Sequence, residues 1–103
     1  MPKKTLPPGA EKIAVFGPYS SVIQVGNHFH FAGIVPNLSD EGGALHPASE
    51  DAGDQYREVV ATMRSVLEAV GLTPDDLLRV RVFFRGAMSR VPEFNTHYTA
   101  LLE

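Results

Sequence analysis

His28 and His30 stand two residues apart in a β-prone run, which puts both imidazoles on one face of a strand. Two such nitrogens can ligate a metal, but a structural or catalytic site needs at least a third protein ligand. The remaining histidines, His46 and His97, stand at spacings that supply none, so no metal site is expected and the pair reads as interface or surface histidines. A second constellation is Arg79, Arg81 and Arg85, which share a strand face with Phe83 between them. Guanidiniums interleaved with an aromatic can hold an anion or an RNA phosphate. The plainer reading is a solvated or inter-subunit face with paired charges. The sequence contains no cysteine, which excludes thiolate nucleophiles, thiolate metal sites and disulfides together.

Bulk properties narrow the field further. A chain of 103 residues is one domain with room for a two-layer core. The formal net charge is −3 and the pI about 5.7, so neither nucleic acid nor an anionic membrane is the expected partner. No apolar run approaches the roughly 18 residues of a membrane span, and MPKKTLPPGAEK has no apolar core after its lysines. A cytoplasmic protein is expected.

These residues must be positioned by a small set of elements. From Asp54 to Gly71, apolar residues fall at Tyr56, Val59, Val60, Met63, Val66, Leu67 and Val70, the stripe of an amphipathic helix. Arg57, Glu58, Thr62, Arg64, Ser65 and Glu68 make up its water-facing side. Acidic residues precede it, where the helix dipole favours negative charge, and Gly71 suits its end. Upstream, Ser21–Val25 and His28–Ala32 are β-prone runs joined by Gly26-Asn27, which predicts a hairpin with Val22 opposite Phe31 and Ile23 opposite His30. Ile13 to Phe16 reads as a short strand closed by Gly17-Pro18, and residues 36–53 as a long loop with a short strand near Ala44 to His46. Proline at 2, 7 and 8 discourages a ladder or helix in residues 1 to 12, so these read as a flexible extended arm. Thr73-Pro74 predicts one capped turn, Leu78–Phe84 alternates as a strand, and Ser89–Leu102 carries Val91, Phe94, Tyr98, Leu101 and Leu102 on one helical face.

Three segments, GPYSSVIQVGNHFHFAGIVP at 17–36, the helix leading into TPDDLLRVRVFF at 73–84, and VPEFNTHY at 91–98, resemble the Rid family. This is the YjgF or reactive intermediate deaminase family, also named for L-PSP endoribonuclease. The resemblance covers nearly all of the chain beyond residue 12 and implies a chorismate-mutase-like α+β fold. In it a mixed sheet is backed by two helices, and three subunits pack sheet to sheet with ligand sites in the clefts between them. It implies one Rid-like domain over residues 13 to 103 and, as activity, the hydrolysis of enamines and 2-imino acids to 2-oxo acids and ammonia, with no cofactor.

Residue by residue, the resemblance nominates Tyr19, Gly33 and Asn95 as substrate-binding, while Ala32 and Ile34 stand where the family has serine and glutamine. Each has a plainer reading: Tyr19 as a turn aromatic, Gly33 as a close-approach backbone position, Asn95 as a solvated amide. The family's carboxylate-binding arginine and water-positioning glutamate belong to segments that would follow Glu103. The expectation is thus either a C-terminally shortened form of a deaminase, or a non-catalytic ligand-binding or regulatory subunit whose sheet is closed by a neighbour. The endoribonuclease activity in the family name is a weaker alternative, because the chain is acidic and shows no catalytic histidine pair.

Overall fold

The helical stripe resolves as α1 (Ala52–Ala69) in the computed structural model, which describes residues 3–13, 20–84 and 90–102. Asp51 caps its start, accepting from the Asp54 N–H at 3.0 Å. The Asp54 carboxyl is held below its usual pKa, first by the Ser49 hydroxyl and then by Arg57. At the far end Gly71 takes φ +79, and the Leu72 N–H returns to the Leu67 carbonyl at 2.9 Å, closing the helix. Val60, Met63, Val66 and Leu67 are buried and Tyr56 and Val59 half-buried, as the period requires.

The sheet is built on the hairpin. β1 (Lys4–Thr5), β2 (Val22–Val25) and β3 (His28–Phe31) form an antiparallel sheet in the order β1-β2-β3. The β2–β3 register pairs Val22 with Phe31, Ile23 with His30, Gln24 with Phe29 and Val25 with His28, around Gly26 at φ +59. Val22 is fully buried, whereas His28 and His30 project to solvent. A second antiparallel pair, β4 (Leu38–Ser39) and β5 (His46–Pro47), folds the long loop into a small hairpin. Its base is tied down twice, by Ala48 N–H to the Asn37 carbonyl at 2.8 Å and by Asn37 N–H to Glu58 of α1 at 2.9 Å.

α2 (Val91–Leu102) crosses α1 and buries Phe94 and Leu101 against Val60 and Met63. Tyr56, Phe84 and Tyr98 surround Phe94, with ring centroids 5.7, 5.4 and 6.0 Å away. The turn at Pro74–Asp76 forms as expected, with Asp76 accepting from the Thr73 N–H at 2.8 Å. The α+β class is therefore the one the chain adopts.

Three expectations are corrected. Residues 78–84 form no strand: among the described residues no ladder partner lies beside them, so the alternation is spent on packing instead. Val80 and Phe84 turn onto the helices, while Leu78 and Phe83 are 85% and 88% exposed. All three described ladders are antiparallel, so among the described residues no parallel pairing makes the sheet mixed. The N-terminal residues do form structure, because β1 pairs with β2 and a 3-10 turn spans Ala10–Lys12. Proline lacks a donor but keeps its carbonyl, and that of Pro7 accepts from the Ala10 N–H at 3.1 Å. The strand expected at Ile13 to Phe16, Arg85 and the cap at Ser89 fall wholly or partly outside the described residues.

Candidate functional site

A cavity of about 590 Å³ opens between α1 and the segment that leaves β3. One wall is the stripe Thr62, Ser65, Val66 and Ala69, whose i, i+3, i+4, i+7 spacing aligns them on a single helix flank. The other wall is Phe31 to Leu38, which runs irregularly once its ladder to β2 ends at Phe31. The Ala32 N–H still donates to the Ser21 carbonyl at 2.9 Å, steering the chain over the cavity. Lys12 and Ile13 close the third side. The lining is mostly aliphatic and aromatic, with Ser21, Asn37, Thr62 and Ser65 as its polar residues and Lys12 as the one charged residue among those described. Such a surface suits a small molecule with an apolar body and a single anionic or polar end.

Gly33 lies on this wall, and apart from its chain neighbours nothing among the described residues comes within 4 Å of where its side chain would begin. Its bare backbone thus faces open space that a ligand can occupy. Asn95 is exposed on α2 and lines a separate depression with Thr96 and Thr99, so the single chain does not bring Gly33 and Asn95 together. Tyr19 lies outside the described residues. His28 and His30 stand away from the cavity, and among the described residues no three metal-ligating side chains gather.

Reasoning from the sequence missed Lys12, Thr62 and Ser65. The lysine belonged to what read as an arm, and the two hydroxyls to the solvent side of the helix. The available signal was their place beside Val66 and Ala69, a flank of small residues next to the apolar stripe.

The β4–β5 hairpin rises from the Pro36–Leu38 edge of the cavity and is closed by His46. One ring nitrogen, Nε2, lies 2.9 Å from the Glu41 carbonyl and the other, Nδ1, 3.0 Å from that of Pro47. Both partners are acceptors, so only the imidazolium satisfies both. The Glu41 carbonyl, then that of Pro47 and more weakly the Glu50 carboxylate raise the His46 pKa above its ordinary 6.5. A raised pKa means a contribution fully present below pH 6.5 and lost as pH climbs through the raised value. Amide protection across residues 40–47 should accordingly be greatest in mild acid and decline above that value, in step with the His46 ring titration seen by NMR. A ring titrating at or below 6.5 would show that the double contact does not form.

Among the described residues no helix is long and apolar enough to cross a membrane. The family model described as Endoribonuclease L-PSP matches residues 9–103. A RutC family protein of Pyrococcus horikoshii is 33% identical over 69 residues, covering 67% of this chain and 52% of that protein. A RutC family protein of Pyrococcus abyssi is 32% identical over the same length and shares. The chain spans about half the length of these curated relatives. With the motifs of residues 17–36, 73–84 and 91–98 all inside the matched region, the chain belongs to the endoribonuclease L-PSP family, the Rid family that those motifs resemble.

Proposed function

We propose that this chain binds small 2-imino and 2-oxo acids in the cavity beside Gly33 and, in the manner of Rid deaminases, hydrolyses the imino acids. Water adds to the imine carbon, the carbon–nitrogen bond breaks, and a 2-oxo acid and ammonia leave. The observation that supports it is the cavity itself: apolar walls, a few hydroxyls, a bare glycine backbone and room for both a small acid and a water. Catalysis of this kind asks mainly for orientation of the imine carbon and restricted access of solvent. In a cytoplasmic homotrimer with sites between subunits, Gly33 and Asn95 would reach one ligand from different copies, with Tyr19 as the third binding residue. The exposed Leu78, Val82 and Phe83 of the unpaired segment support such an assembly, for which light scattering should return three times the chain mass.

A second reading is a binding subunit without turnover. It is favoured by the absence of any carboxylate, histidine or arginine among the described cavity-lining residues, which leaves no general acid–base pair there. Imine hydrolysis separates the two. With an amino-acid dehydratase releasing 2-iminobutanoate, the deaminase reading expects loss of the imine faster than its spontaneous rate. An unchanged rate from a folded sample that binds 2-oxobutanoate would leave the binding subunit.

A further inference from the structure

We infer that His28 and His30 together form a chelating site for a late first-row divalent transition ion, on the outer face of the β1-β2-β3 sheet and away from the cavity. They occupy consecutive outward positions of β3, and the hairpin register fixes the face they share. His28 stands opposite Val25 and His30 opposite Ile23, whereas Phe29 and Phe31 stand opposite Gln24 and Val22 on the face that buries Val22. Both histidines are exposed, while the two phenylalanines that alternate with them are half-buried. Over two residues a strand advances about 6.6 Å, a span that two imidazoles can close on one ion held about 2.0–2.1 Å from each nitrogen.

Nothing among the described residues competes for the pair. Neither ring makes a hydrogen bond or an ion pair there, in contrast to His46, whose two nitrogens are both engaged. Their cross-strand neighbours Ile23 and Val25 are half-buried aliphatic residues, which offer neither a rival ligand nor a charge. Lys4, opposite Val25, is a cation on the same face. It lies two strand spacings from His28, roughly 9–10 Å, where water and salt screen most of its repulsion of a bound ion. A catalytic or structural zinc site needs at least three protein ligands, which the described residues do not gather. A two-imidazole chelate is a lesser arrangement, exchangeable and completed by water. Nitrogen donors place Cu2+ above Ni2+ and Zn2+ in such a site and disfavour Mg2+, which prefers oxygen.

The test is a titration of the full untagged chain with Cu2+ at neutral pH, followed by calorimetry and by electron paramagnetic resonance. It is carried out on the wild type, His28→Ala, His30→Ala and His46→Ala. His28 and His30 are exposed, so their variants should keep the wild-type melting temperature. The expected result is one ion per chain with two equatorial nitrogens in the wild type. Either exchange on β3 should leave one nitrogen and lower the affinity about tenfold or more, because the second imidazole no longer adds an intramolecular bond. His46→Ala should bind copper as the wild type does, and excess Mg2+ should not displace it. Wild-type affinity with both nitrogens retained in either β3 variant would show that the two histidines do not act together and would overturn the inference. Failure of the wild type to bind Cu2+ through two nitrogens would overturn it equally.

Discussion

Phe94→Ala is expected to lower folding stability by about 3–5 kcal/mol, the range for removing a large aromatic from a core that cannot close over the space. Phe94 is only 4% exposed and stands where three pieces of chain meet. Its ring is edge-on to Tyr56 of α1 and to Phe84 of the extended segment, and stacked on Tyr98 of its own helix. Truncation removes three aromatic pairs together with the buried area, and each pair is worth roughly 0.5–1.5 kcal/mol beyond that area. Against a total of about 5–15 kcal/mol for a protein of this kind, the loss moves the melting temperature by on the order of 20 °C. Leu102→Ala is the comparison: Leu102 is on the same helix but 44% exposed, and should cost less than about 1 kcal/mol. Urea denaturation with an unchanged slope measures both. Equal midpoints for the two variants would mean that the helices do not meet through Phe94.

Which features could be read from residue order, and which could not, follows from the range of the forces involved. α1 and the β2–β3 hairpin were legible because their determinants are local: a 3.6-residue stripe with acidic residues at its start and Gly71 at its end, and two β-prone runs around Gly26-Asn27. The alternation of Leu78–Phe84 is equally local but reports two faces, not a partner. A strand also needs a neighbour, and the described chain places none beside it. The N-terminal turn was illegible for the opposite reason, since proline disfavours order locally while burial of Pro7 and Ala10 supplies it from a distance. The candidate site was half legible. Gly33 came from its motif, but the wall of Thr62, Ser65 and Lys12 exists only where residues some fifty positions apart converge.

Gly9→Ala is expected to be the most damaging exchange outside the core, and its effect should reach the cavity. Gly9 sits at φ +94, a region that costs an L-residue roughly 1–2 kcal/mol by itself. The added Cβ would lie 1.7 Å from the Ala69 carbonyl oxygen and 2.8 Å from its carbon, both backbone atoms at the last turn of α1. Neither can rotate aside, so the turn at Ala10–Lys12 must lift off the helix. Lifting it exposes Ala10 and breaks the Ser21 contact with its carbonyl. The total cost should be about 2–4 kcal/mol, limited because the N-terminal segment can detach while α1, α2 and Phe94 stay packed. Gly71→Ala separates strain from collision: φ is +79 there, but apart from its chain neighbours nothing among the described residues lies within 4 Å of the added carbon. That exchange should cost only about 1 kcal/mol and leave ligand binding unchanged. In Gly9→Ala, helical circular dichroism should survive while 2-oxobutanoate affinity falls severalfold, because both Lys12 and Ile13 leave the wall. If the two glycine variants proved equally mild, the turn would not be seated on α1, and the third side of the cavity would be open.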